Sequence, residues 1–168
     1  MGQVAMLPEA PLGPVYSFVP AGGAHDAGGL PKKLTEALRA HLSSEDDGRT
    51  VLLANFQKDP AKRIHPQPFT ITFVDLSKAN PGQEWLAVNM SEAVFVVTST
   101  DPVSMDDARE KAAWLRAIKS EECCGLILLP AAGGASAREA EDITGLPVCA
   151  VIRRDDQIAQ LASWIAQE

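Results

Sequence analysis

PVYSFVPAGGAHDAGGL, residues 14–30, decides the fold. An apolar run from Val15 to Val19 leads into a loop holding Gly22, Gly23, Gly28 and Gly29, and Leu30 then opens a helical pattern. A buried strand, a glycine-rich loop and a helix start, in that order, form the place where α/β proteins hold phosphates. Glycine lets the backbone approach, and the N–H groups of the loop point at the anion. A loop that works on triphosphates also carries a lysine and a hydroxyl residue behind its glycines, in the pattern GxxxxGK[ST]. Here His25, Asp26 and Ala27 follow the first glycines, and the first lysine is Lys32. The loop has a shape suited to phosphate and chemistry that opposes it.

Outward from this loop the chain alternates strands and helices. Helix one starts near Leu30 or Pro31, where proline suits the first turn, and Leu30, Leu34, Leu38 and Leu42 recur at helical spacing. Strand two spans 50–56 as a near-continuous apolar run, the mark of a strand covered on both faces. The segment 57–68 holds three prolines and cannot carry a long helix. Strand three covers about 69–76, a short helix 81–90, and strand four 93–99. Ser104-x-x-Asp107 has the form of a capping box, ahead of a helix from about 105 to 119. Strand five covers 125–129. A short helix opening at Ser136 closes at Gly145, strand six covers 147–152, and a last helix runs from about 156 to 166.

This alternation predicts an α/β fold: a three-layer α-β-α sandwich around a mostly parallel sheet of about six strands. Ligands in such sheets sit beyond the carboxyl ends of the strands, where the segments 20–29, 57–68, 77–82 and 99–103 meet. Residues 1–14, with three prolines, read as an irregular N-terminal arm, and 15–168 as one domain large enough for a sizeable core.

Composition narrows the partners. The formal net charge is −7, and no Lys/Arg cluster exists to displace counterions, which argues against nucleic-acid binding. No apolar run is long enough to span a bilayer, and the first residues lack the basic-then-apolar layout of a signal peptide, so no membrane insertion and a cytoplasmic location are expected. Cys123, Cys124 and Cys149 fit neither a disulfide framework nor zinc spacing and read as small buried apolar residues. Trp85, Trp114 and Trp164 fall on helices, for core packing or as an anchor for a partner.

Taken together, four stretches resemble the MinD/ParA-type P-loop ATPases, the deviant-Walker group found in bacteria. Residues 15–30 sit where that family has a strand followed by KGGxGK[ST][ST]. TVLLANFQ at 50–57 is similar to its second strand, and FTITFVDL at 69–76 to the strand ending in a magnesium-linked aspartate. The most specific part is AVFVVTSTDPVSMDDAREKAAWL at 93–115 with GLILLPAAGG at 125–134 and ITGLPVCAVIRRDD at 143–156. The resemblance implies a P-loop NTPase-like domain with strand order 2-3-1-4-5-6, and in the family a homodimer formed across the loop face.

Carried over position by position, most of the family's chemistry is missing. Its signature lysine falls on Ala21. Gly22 and Gly23 match. A later glycine falls on His25, the phosphate lysine on Asp26, and the hydroxyl positions on Ala27 and Gly28. The water-polarising aspartate falls on Asn55, with Gln57 next to it, and the adenine-reading asparagine near Pro130. Only Asp75 matches a catalytic-site position. Unit charges about 4 Å apart interact by roughly 4 kcal/mol near a protein surface, so aspartate in place of lysine turns attraction into repulsion of similar size.

The resemblance thus implies a non-catalytic pseudo-ATPase that serves as a scaffold or interaction protein, with no cofactor, working through self-association or a protein partner. Gly22, Gly23, Ala24, His25, Asp26 and Gly28 would form a relic phosphate loop. The alternative is a divergent nucleotide-binding ATPase or switch that holds ATP and Mg²⁺ through the loop amides, with Asp75 as the metal ligand. His25 with Asp26 could also form an acid–base pair, although adjacent loop residues rarely point together. Arg153-Arg154-Asp155-Asp156 could contact a ligand, but reads first as a solvated strand end with a helix cap.

Overall fold

The computed structural model describes residues 11–22, 29–56 and 64–168. Its elements in chain order are β1 (Val15–Ala21), α1 (Leu30–Ser44), β2 (Thr50–Asn55), β3 (Thr70–Asp75), α2 (Pro81–Met90), β4 (Ala93–Ser99), α3 (Pro102–Ile118), β5 (Cys124–Leu129), α4 (Ala137–Thr144), β6 (Val148–Val151) and α5 (Asp155–Ala166). All paired strands are parallel, in the order β2-β3-β1-β4-β5-β6. The expected α/β fold, sheet and strand order are therefore present.

The alternation along β1 sorts the two core layers. Tyr16 and Phe18 face α1 and α5, where they meet Phe73 and Phe95. The Phe18 and Phe73 rings stand edge to face with centroids 5.4 Å apart, and Phe18 stacks on Phe95 at 5.6 Å. Such pairs add about 0.5–1.5 kcal/mol beyond the area they bury. Burial pushes the Tyr16 phenol up to about 12, with the Glu92 charge adding to the shift. The opposite face of β1 presents Val15, Val19 and Ala21 to the layer of α2, α3 and α4. Ser17 also points there and needs a partner. Its hydroxyl lies 2.7 Å from that of Ser91, which in turn donates to the Ala87 carbonyl at 2.6 Å.

The helix ends follow from local chemistry. Asn80 caps α2 through the Gln83 amide at 2.9 Å, and Gln83 reaches back to the Asn80 amide at 3.0 Å. α4 ends on Gly145 at φ +73, as its glycine predicts, and the Arg116 guanidinium donates to the Thr144 carbonyl there. The start of α3 differs from the sequence reading. Asp101, not Ser104, is the cap: it accepts the Ser104 amide at 3.1 Å, with Pro102 at the first helical position. Ser104 is instead buried.

The cysteines also divide. Cys124 is buried and Cys123 half-buried, while Cys149 is exposed on the edge strand β6. The Cys149 sulfur nevertheless tucks over Gly125, where an added Cβ would lie 2.4 Å from it, and burial pushes its thiol pKa up. Residues 11–14 run beside the start of β3: Leu12 bridges Pro68, and the Gly13 amide donates to the Gln67 carbonyl at 2.9 Å.

Candidate functional site

β1 lies inside the sheet between β3 and β4, and a turn follows it at Gly22. Gly22 opens that turn in the left-handed region, at φ +71. Only glycine suits it, for two reasons. Other residues pay a steric penalty at this φ. A Cβ would also lie 2.4 Å from the Ser104 hydroxyl and 2.9 Å from its Cα, because the first turn of α3 packs directly on the glycine.

The Gly22 amide has a partner. It donates to Oδ2 of Asp107 at 2.6 Å across 85 positions of sequence. A distance this short is expected when the acceptor is a carboxylate. Asp107 reaches the amide because Asp101 and Pro102 start α3 early, which sets Asp107 in its second turn, half-buried. The Ser104 amide, followed by its hydroxyl, holds the capping Asp101 carboxyl below its ordinary 3.8.

The remaining expected loop residues, Gly23, Ala24, His25, Asp26 and Gly28, lie outside the described residues, as does Gln57. Asp75 ends β3 level with Phe18 of β1 and Asn55 of β2, four residues short of Gly22 along β1. Its Oδ1 accepts the Ser77 amide at 2.9 Å, a local turn. No group of three or more His, Cys, Asp or Glu suited to a metal occurs among the described residues.

A cleft of about 980 Å³ opens beyond the carboxyl ends of β4, β5 and β6. Its apolar lining includes Leu30 of α1, Ile152 just after β6 and Ile158 of α5, and its charged lining is Lys33, Asp101, Arg153, Arg154 and Asp155. Lys33 pairs loosely with Asp155 at 4.0 Å, and Arg154 with Asp156 at 3.2 Å, all well exposed. The buried Thr100 holds the loop that carries the lining residue Ala131: its hydroxyl accepts the Ala131 amide at 2.8 Å, and its carbonyl accepts the Ala135 amide at 2.9 Å.

No protein-family model matches the sequence, and no curated protein is similar to it in sequence. Solved structures do match. A chain of the MinC:MinD cell division complex of Aquifex aeolicus superposes with TM-score 0.68 at 12% identity, over 92% of this chain and 96% of that one. The cell division ATPase MinD of Pyrococcus furiosus gives 0.65 at 13% identity, over 93% and 99%. A ParA family ATPase of Chlorobium tepidum gives 0.64 at 12% identity, over 92% of each. The fold is that of the MinD and ParA ATPases. At these identities the likeness is one of fold, and the chemistry has to be read from the residues of this chain.

On this MinD/ParA fold the structure brings together residues the sequence kept apart. The loops after β5 and β6 contribute to the cleft and were absent from the segments expected there. Arg154 reads in the sequence as part of a solvated strand end, but it joins Lys33 at the cleft because α1 and α5 lie side by side. The helix cap at 153–156 is also different: the Gln157 side chain accepts the amides of Arg153 and Arg154, at 2.5 and 3.0 Å. Asp107 was legible only as the acidic member of the Ser104-x-x-Asp107 capping pattern, and nothing in the sequence tied it to Gly22. Of the tryptophans, Trp114 packs against the core, while Trp85 and Trp164 are half exposed. No helix among the described residues is long and apolar enough to cross a membrane.

Proposed function

We propose that this protein is a non-catalytic member of the MinD/ParA fold, a pseudo-ATPase that works as a scaffold or interaction protein. One observation carries the reading: the Gly22 amide, the first donor after β1, is held by the Asp107 carboxylate at 2.6 Å. Phosphoryl transfer is catalysed by positioned positive charge and donors aimed at the phosphates. This turn faces an anion of its own, and the positions that resemble the family's phosphate lysine and hydroxyls are Asp26, Ala27 and Gly28. The same reading takes Asp75 as a turn-forming residue, in keeping with its bond to Ser77.

A protein-binding role is the part of the likeness retained here. One structural relative was solved as a MinC:MinD complex. In this chain Trp85 and Leu86 on α2 and Trp164 on α5 are exposed apolar residues of the kind that anchor partners or a second copy.

Isothermal titration with ATP and ADP, each with Mg²⁺, should give no binding up to millimolar nucleotide. Phosphate release should stay at background, with or without Asp75→Ala. Micromolar nucleotide binding, or turnover that falls on Asp75→Ala, sinks the reading and favours the nucleotide switch. Light scattering on the native chain and on Trp85→Ala and Trp164→Ala checks self-association directly.

A further inference from the structure

We propose that the outer face of the α1–α5 layer is a self-association surface, where a second copy docks about a two-fold axis parallel to the helices and sets α5 of each copy on α1 of the other. The inference deepens the interaction reading and rests on it, because it names the surface and makes the partner a second copy of this chain.

Three observations converge. α1 and α5 run side by side in the same direction. Lys33 near the start of α1 pairs with Asp155 at the start of α5 at 4.0 Å, and Arg49 beyond the end of α1 donates to the Ala166 carbonyl at the end of α5 at 2.7 Å. The inner faces of both helices fill the core. Outward, α5 turns Ala159, Gln160 and Trp164 to solvent, and from Gln157 to Gln167 it has no charged side chain. The outer face of α3 carries exposed Asp106, Arg109 and Glu110 instead. A charge-free helix face around an exposed tryptophan has the composition of an interface core. On the neighbouring α1, Arg39 reaches away to the Val51 carbonyl, which leaves Ala40, Ser43 and Ser44 as small exposed residues.

The charges choose the occupant and its direction. α1 begins with exposed Lys32 and Lys33 and is followed by exposed Glu45 and Asp46, whereas α5 begins with exposed Asp155 and Asp156. An antiparallel α5 brings its aspartates against Glu45 and Asp46 of the other copy, and a parallel one brings them against Lys32 and Lys33. Lys32 has no ion pair among the described residues. Rotation about an axis parallel to the helices keeps their direction and exchanges left for right. It therefore lays each α5 on the other copy's α1 in the parallel sense, twice over. Trp164 stands nine residues beyond Asp155, about 13.5 Å along the helix, and the same rise from Lys33 reaches the level of Leu42, beside Ala40, Ser43 and Ser44. Those small residues are the ones the indole ring meets.

The test is sedimentation velocity over a dilution series of the full chain, with folding checked by circular dichroism. The variants are Trp164→Ala, Ala40→Arg, Lys32→Glu combined with Lys33→Glu, and Trp85→Ala on α2 as the control. Wild type should dimerise. Trp164→Ala should raise the dissociation constant at least about thirtyfold, the loss of one anchor residue. Ala40→Arg, which fills the same contact from the other side, should abolish the dimer. Charge reversal at Lys32 and Lys33 should weaken it about tenfold, and Trp85→Ala should leave it unchanged. Ala40 is exposed and arginine is a good helix former, so that variant decides the matter if Trp164→Ala does not fold. A wild type that stays monomeric at submillimolar protein, a dimer indifferent to Ala40→Arg, or one that charge reversal leaves unchanged or tightens overturns the proposal. The non-catalytic reading stands or falls on the nucleotide titrations alone.

Discussion

Two glycine turns at the carboxyl edge of the sheet make an instructive pair. The turn after β1 bends at Gly22, and the turn after β5 bends at Gly133, both at φ +71. Each turn also holds a glycine that another segment of the chain approaches closely. At Gly22 the neighbour is Ser104, and at Gly134 a Cβ would lie 2.3 Å from the Thr100 hydroxyl and 2.7 Å from its carbonyl oxygen. The difference lies in who receives the amide. The β5 turn gives the Ala131 N–H to a neutral hydroxyl, while the β1 turn gives the Gly22 N–H to a carboxylate. Similar backbone geometry therefore yields a neutral joint in one place and a charged one in the other. Glycine content alone could not distinguish them.

The largest test of this pairing is Gly22→Ala, which combines the left-handed φ penalty with the clash against Ser104. It should cost about 3 kcal/mol in denaturant unfolding. Gly134→Ala meets the Thr100 backbone at ordinary φ and should cost less, about 2 kcal/mol. The reverse order would show that crowding, not backbone handedness, dominates both turns.

Next come the two acceptors. Asp107→Asn and Thr100→Val should each cost about 1 kcal/mol, one by weakening a charged hydrogen bond and the other by stranding an amide. Added salt separates them: the loss at Asp107 should shrink as salt rises, because it is electrostatic, and the loss at Thr100 should not. Equal salt response would mean that the carboxylate acts as a neutral tie.

The smallest effect concerns acid. The folded state holds the Asp101 carboxyl below its ordinary 3.8, chiefly through the Ser104 amide, so its contribution is present above that value and lost as the pH falls through the lower folded value. Acid unfolding curves of wild type and Asp101→Asn should converge only at the acid end. Curves that stay parallel to the lowest pH would show that the cap is not charge-dependent.

The sheet was legible in the sequence because its signals are local. Apolar runs at 50–56 and 69–76 and leucines at 30, 34, 38 and 42 each mark one element, and six strands separated by helices leave few alternatives. Ends set by a single residue, such as Gly145, were equally clear. The start of α3 was not, since Asp101 and Ser104 are both competent caps in sequence. In the fold Ser104 packs on Gly22, at the end of the neighbouring strand β1, a contact the local sequence does not show. The site was hidden for the same reason. The partner of Gly22 lies 85 positions away, and Lys33 joins the Arg153–Asp155 end of the cleft only after α1 and α5 have packed. Local periodicity carries no information about such meetings.

β1 is made first and ends up in the middle. Its flanking strands are β3 and β4, so both of its edges are filled only when residue 99 has been synthesised, 84 residues after Val15. At translation rates of roughly 5–20 residues per second that is a wait of about 4–17 s. Until β3 is made the segment Val15–Ala21, almost wholly apolar, has no permanent partner on either edge, and until β4 is complete one edge stays open. Growth of the nascent chain, and whatever shields it on the ribosome, thus bears on yield more than the final architecture does.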